Sequence, residues 1–230
     1  MLHILDNPIW HALSSLDSDK NIGRESIKYF DKEMAPFIGA SSWDENSQKD
    51  ILARVPTDRS WFLLIGEEVK FIDEIEIVFT IPLYQLCCNK LKPLDKDLMG
   101  IDLIPLNNHH IEEMVALTAL TKPGPFLNRT IEFGNYHGIF RDGKLVAMGG
   151  ERLHLEGFTE ISAICTHPDY RGKGLGARIT HFLAADVLQK GAVPFLHARI
   201  DNKSAIDLYQ RLGFEIRKEI QFYIFRRKQQ

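Results

Sequence analysis

The sequence is poor in the features that mark several large protein classes. It has three cysteines, Cys87, Cys88 and Cys165. An odd count with two adjacent is a poor disulfide framework, and neither a C-x-x-C pair nor a His/Cys ligand spacing occurs, so no metal site is expected. Reduced thiols in a cytoplasmic protein are the expectation. No run of about 18 apolar residues is present, which argues against a membrane span. The opening MLHILDNPIWHALSSLDSDK lacks the basic segment that precedes the apolar one in a secretory leader. Surplus positive charge is missing too: 28 Lys and Arg face 31 Asp and Glu, a net charge of −3. Nucleic acid as the main partner is therefore not favoured. Neither repeats nor low-complexity tracts occur.

What is present is an ordinary globular composition, 230 residues with 44% hydrophobic and 26% charged, enough for one large domain or two small ones. KLKPLDKDLMG (90–100), charged and carrying Pro93 and Gly100, reads as a seam. Before it, NIGRESIKYF reads as a helix. WFLLIG (61–66) and IEIVFTIPLYQLCC (75–88) read as strands, the second with a helical end as an alternative. After it, IDLIPL is a short strand, and NNHHIEEMVALTAL is a helix with an Asn cap, an acidic first turn, and Met114, Leu117 and Leu120 at helical spacing. TKPGPF breaks the chain into a loop. Asp142-Gly143 between apolar runs marks a hairpin, and TEISAICT (159–166) adds a third strand. The order then becomes strand, helix, strand, helix. Leu175, Ile179, Phe182, Leu183 and Val187 share a helical face, FLHARI (195–200) is a strand, and SAIDLYQRL is a helix ended by Gly213. FEIR and FYIFRR are the last strands. The expected class is α+β, a mixed and mostly antiparallel sheet with helices packed on it.

The most informative stretch is DYRGKGLGARITHF (169–182). Amides at a helix N-terminus lack intrahelical partners and sit at the positive end of the helix dipole. Gly172, Gly174 and Gly176 let an anion approach them, and Arg171 and Lys173 add charge. The stretch reads as a phosphate or pyrophosphate cradle. It is not the P-loop pattern G-x-x-x-x-G-K-[ST]. Gly172-x-Gly174-x-x-Ala177 satisfies a loose dinucleotide fingerprint, with Asp201 after the next strand. HPDY, however, separates the preceding strand from the glycines, and the strands before it form a meander.

Arg171-x-x-Gly174-x-Gly176, preceded by CTHPDY, resembles the acyl-CoA pyrophosphate loop of the GNAT superfamily of N-acetyltransferases. DNKSAIDLYQRLGF resembles the second part of that signature, and the two together cover roughly residues 101 to 226. The resemblance implies a GNAT domain over 99–230 behind an N-terminal α/β region, 1–98, of unassigned role. It implies acetyl-CoA as acyl donor without a metal, and direct attack by a primary amine, small-molecule or peptide, in a ternary complex. In the family the pantetheine arm bonds to strand backbone as an added strand would, here at Ile164, Cys165 and Thr166. The pyrophosphate falls on Arg171, Gly172, Lys173, Gly174, Leu175 and Gly176, with Ala177 close behind, and Asn202 matches the Asn near the pantetheine end.

Tyr209 matches the Tyr that protonates the departing thiolate. It lies seven residues after Asn202, so both face the same way; a core aromatic between Leu208 and Leu212 is the alternative. Glu160 is the candidate base. Alternation sets Glu160, Ser162, Ile164 and Thr166 on one face, and partial burial would raise its pKa into a useful range; a solvated strand-start Glu is the alternative. Cys165, expected on the other face with Ile161 and Ala163, reads as a buried structural thiol. His197 and Arg199 share a strand face with Phe195 and are pocket candidates or solvated groups, as are Glu151 and His154. His109 and His110 read as surface residues, and the KPGPF loop as a connector or a lid over substrate. A non-catalytic acyl-CoA-binding module would use the same cradle. The acceptor stays open among small amines, amino acids, antibiotics and protein N-termini.

Overall fold

A computed structural model describes residues 3–229. The chain opens with helix α1 (Pro8–Ser14), a ribbon of β1 (Ile27–Tyr29) and β2 (Ile38–Ala40), and helix α2 (Glu45–Arg54). Strands β3 (Trp61–Ile65) and β4 (Ile75–Cys87) follow, then α3 (Lys96–Met99), β5 (Ile104–Pro105) and α4 (Ile111–Thr121). The remainder is β6 (His137–Arg141), β7 (Lys144–Leu155), β8 (Phe158–Thr166), α5 (Leu175–Gln189), β9 (Val193–Arg199), α6 (Lys203–Leu212) and β10 (Glu215–Arg227). Eight strands form one sheet in the order β3-β10-β4-β9-β8-β7-β6-β5. Its pairings are antiparallel except β8 with β9, which is parallel. The fold is the expected α+β class. Among the described residues, no helix is long and apolar enough to cross a membrane.

Local sequence explains the elements nearest the site. The β6–β7 hairpin turns on Asp142 and Gly143, both with positive φ, 50° and 73°, as a two-residue turn matched to strand twist requires. Helix α5 buries Leu175, Ile179, Leu183 and Val187 in the apolar layer it shares with Leu196, Ile206 and Leu212. Helix α6 is capped by Asn202, whose side chain accepts from the Ala205 N–H, and ends at Gly213 in the left-handed region. On the other face of the sheet, Leu5, Ile9, Phe37, Met114 and Leu117 pack with Leu83 and Phe195.

Three expectations are corrected. NIGRESIKYF is not a helix. The Asn21 side-chain oxygen accepts from the N–H groups of Gly23 and Tyr29, Glu25 has φ 47°, and Ile27–Tyr29 pairs with β2. An Asn side chain bonding backbone two residues on favours a turn over a helix. The two C-terminal strands are one long strand, β10, with irregular register between Ile216 and Lys218 and between Ile224 and Phe225. The seam at 90–100 is a connection carrying α3, and the sheet does not divide there. Strand β4, from before the seam, lies between β9 and β10, from after it.

Glu151 and His154 are structural. The His154 N–H donates to Asp17 Oδ2 at 2.8 Å, and its ring contacts Asp17 Oδ1 and Glu151 Oε2, each at 3.0 Å. Glu151 Oε1 accepts from Asn135 Nδ2 at 2.6 Å. Burial disfavours the imidazolium, but the two carboxylates outweigh it and hold the His154 pKa up at about 9. A His pKa raised on folding stabilises the fold fully below the unfolded value and loses that contribution as pH rises through the folded one. We therefore expect the Tm to fall as pH rises from about 6.5 through 9. His154→Gln should remove that slope, as read by thermal melts across the range.

Candidate active site

The site begins where two strands part. Strands β8 and β9 pair only from Phe158 to Glu160, opposite Val193 to Phe195. Beyond Glu160 they diverge. Ala163 has φ 54°, and the β7–β8 register shifts between Met148 and Gly150, which together make a bulge. The bulge overturns the expected alternation. Ile161 and Ile164 both pack on the α5 side, whereas Ala163 and Cys165 pack on the opposite side. Ile164 therefore does not share the face of Glu160, and Cys165 does not share that of Ile161. Cys165 is buried, and burial pushes its thiol up to about 11, so it is an inert structural thiol.

A groove of about 1050 Å³ occupies this opening. Its walls include Ile164, Cys165, Thr166, Arg171, Gly172, Gly174, Leu175, Gly176, Ala177, Asn202 and Tyr209. Of the residues expected near the donor, Lys173 alone does not line it; its Nζ lies 4.9 Å from the Tyr170 ring centroid. Gly174 caps α5 with φ 74°, and a Cβ there would come within 2.5 Å of Leu98 Cδ2. Gly176 lies inside the helix, where a Cβ would meet Leu208 and Thr166 at an ordinary 3.8 Å. The first amides of α5 open into the groove, and Arg171 is held beside them by donating from Nε to Thr166 O at 3.3 Å. Glycine cradle, helix N-terminus and splayed strand together fit a long anionic thioester such as an acyl-CoA.

A second cavity of about 250 Å³ adjoins the groove, and both are lined by Lys122, Pro123, Ile164, His197, Arg199 and Tyr209. Its apolar walls include Phe37, Leu64, Ile81, Leu83, Leu196 and Phe222. Tyr209 is 9% exposed, and burial, with nearby Cys165, pushes its hydroxyl up to about 12. Lys122 to Pro125, in the proline loop, lie at the cavity wall.

Glu160 is fully buried. It accepts from Arg152 Nε and Nη2 at 2.8 and 2.5 Å and from His197 Nδ1 at 2.6 Å. Burial by itself opposes its ionisation, but the Arg152 guanidinium and the His197 imidazole outweigh that and hold its pKa down at about 2. This reverses the expected upward shift. An ammonium has a pKa near 10, so moving its proton onto such a carboxylate is uphill by on the order of 10 kcal/mol. His197 is engaged on both sides. Gln85 Oε1 accepts from Arg217 Nε at 2.5 Å, and Gln85 Nε2 donates to Leu5 O at 2.9 Å while lying 3.0 Å from His197 Nε2. Gln85 thus presents a donor to His197 Nε2, which must accept, so the ring proton sits on Nδ1 and points at Glu160.

Sequence reasoning missed Arg152, Gln85 and the apolar walls contributed by β3, β4 and β10. A register signal was available for Arg152. In the hairpin it lies near Glu160, and opposite charges across paired strands attract. The others meet only through long-range pairing.

Fold and site resemble one class, the GNAT-type acetyltransferases. Residues 136–223 match the family described as FR47-like protein, a GNAT-type domain. A GNAT-family protein from Novosphingobium aromaticivorans, assigned as an acetyltransferase, superposes with TM-score 0.89 at 29% identity over 99% of this chain and 100% of its own. Thialysine N-epsilon-acetyltransferase of Sus scrofa is 40% identical over 84 residues, 36% of this chain and 43% of its own length. Mycothiol acetyltransferase of Mycolicibacterium gilvum is 32% identical over 80 residues, 32% of this chain and 26% of its own length. The chain thus spans about a quarter to under half of these two relatives.

The two glycines of the cradle should separate on mutation. Gly174→Ala forces a positive φ and a clash with Leu98, and should cost about 1–3 kcal/mol of stability. Gly176→Ala has room and should gain up to about 1 kcal/mol. Denaturant unfolding without ligand measures both.

Proposed function

We propose that the protein transfers an acetyl group from acetyl-CoA to a primary amine by direct attack in a ternary complex. The observation that carries this reading is the meeting of the long groove and the small pocket at Tyr209 and His197. A donor bound along the first would present its reactive end to an acceptor held in the second. Acetyl-CoA supplies an activated thioester carbonyl. The chain's part is to hold the pyrophosphate on the α5 amides and Arg171, and the pantetheine arm along the Ile164–Thr166 backbone. Asn202 carries the turn that faces this arm. Tyr209 holds its phenolic proton across the physiological range and gives it to the leaving thiolate. Glu160 acts as a positioning residue that orients His197 and pins β8 to β9. The related Sus scrofa enzyme, by its name, acetylates an N-epsilon amine, which supports an amine acceptor. The three free thiols support a cytoplasmic setting.

The first test is calorimetric titration of acetyl-CoA into the wild type and Gly176→Glu. The glutamate has room for its Cβ and complements the helix dipole, so the variant should stay folded while its carboxylate takes the anion's place. Tight binding to wild type and none to a variant of normal Tm supports the reading; no binding to wild type overturns it. With Glu160 and His197 both engaged, the acceptor should bind as the neutral amine and give its proton to water. The kcat/KM profile should then rise with pH toward the acceptor's own ammonium pKa. A plateau set by an enzyme group near pH 6–7 would contradict this. Tyr209→Phe should lower kcat by about 10²-fold with the acetyl-CoA Kd unchanged.

A further inference from the structure

The wall of the small pocket contains the two groups that usually recognise a substrate ammonium, a buried carboxylate, Glu160, and an aromatic face, that of Phe37. Both are already taken. The Arg152 guanidinium pairs with Glu160 through two hydrogen bonds and lies over the Phe37 ring with Cζ 4.7 Å from its centroid. Arg152 and Glu160 side chains are 11% and 1% exposed, so this pair is part of the wall. Among the described residues lining the cavity, Glu160 is the one carboxylate. At the shared mouth Arg199 is paired with Asp201 through both Nε and Nη2, at 2.9 and 2.7 Å, which leaves Lys122 as the cation there without an ion pair among the described residues. Apart from Ser162, His197 and the Tyr209 hydroxyl, the side chains of the rest of the wall are hydrocarbon and aromatic: Leu64 and Leu83 are buried, and Ile81 and Phe222 pack against the same core.

A second cationic group on the acceptor would meet no free carboxylate in the pocket wall, would lose its hydration in an apolar space, and would be repelled by Lys122. An apolar substituent would gain from the same walls, at roughly 25 cal/mol per Å² buried. We propose that the acceptor is a primary amine carrying one compact apolar substituent, arylalkyl or branched alkyl, with no second cationic group, and that Arg152 sets this specificity by occupying the ammonium site. This rests on the acetyl-transfer reading above and names the substrate class of the same site. In the reaction the amine nitrogen forms the amide bond to the acetyl carbon as the carbon–sulfur bond breaks; CoA leaves as the thiol with the Tyr209 proton, the amine's proton passes to water, and water returns a proton to Tyr209.

The test compares 2-phenylethylamine and isopentylamine with spermidine, by thiol release with acetyl-CoA and by calorimetric binding of each amine to the intact protein. The expected result is a kcat/KM for 2-phenylethylamine at least tenfold above that for spermidine, with the same ranking in binding. Arg152→Leu, which frees Glu160 and the Phe37 face, should shrink that ratio at least tenfold. Spermidine as the better wild-type substrate or ligand overturns the proposal, as does a folded Arg152→Leu with an unchanged ratio. Should Arg152→Leu fail to fold, Phe222→Ala serves instead: in the partly exposed wall, it should shift preference toward bulkier arylalkylamines, and an unchanged ranking counts against the proposal. Failure of acetyl-CoA to bind overturns the transfer reading, while calorimetry still ranks the amines.

Discussion

The site depends on a single clamp, the cluster of Arg152, Glu160 and His197 at the point where β8 and β9 part. Glu160 is the last β8 residue paired to β9, and its carboxylate is held by a β7 guanidinium and a β9 imidazole. Three adjacent strands are thus tied together one residue before two of them separate. A buried charge pair is a poor source of net stability, but breaking it by removing one partner costs about 3–5 kcal/mol. Its effect here is to hold the strands at a defined separation. The bulge at Ala163 then turns the freed part of β8 so that its backbone faces the groove, instead of completing a ladder with β9.

The clamp also extends into the first third of the chain. His197 meets Gln85 on β4; Gln85 meets Arg217 on β10, and Arg217 in turn pairs with Asp6. Each polar group along this path has a partner, as burial demands. The N-terminal residues are therefore structural members of the site. They supply the strand between β9 and β10, a hydrogen-bond donor that selects the His197 tautomer, and Phe37, Leu64, Ile81 and Leu83 of the apolar wall of the small pocket. Groove and pocket differ in the chemistry of their walls. Backbone and glycines line much of the groove, while hydrocarbon and paired charges make up much of the pocket wall.

How much of this was legible follows from the range over which each feature is determined. The cradle could be read because its physics is local: three glycines, two cations and the start of an amphipathic helix all lie within 14 residues. The β6–β7 turn and the α6 cap were legible for the same reason. The pKa of Glu160 was expected to move the wrong way because burial was visible in principle and its partners were not. Arg152 is eight residues away and His197 thirty-seven. The facing of Ile164 and Cys165 was misjudged because alternation assumes an unbroken strand, and a positive φ at an alanine carries no sequence mark. NIGRESIKYF has helical spacing, but Asn21 bonds the backbone on both sides of the turn.

By itself the sequence determined the α+β class, the glycine-rich loop that opens α5 and the Tyr-bearing helix that follows the next strand, because each rests on spacing within one or two elements. Only the tertiary structure decided that the first hundred residues share the sheet, that Glu160 is an ion-paired clamp, and that a small apolar pocket opens beside Tyr209. Those features arise from β4 pairing between β9 and β10, contacts more than a hundred residues apart, for which no local pattern exists.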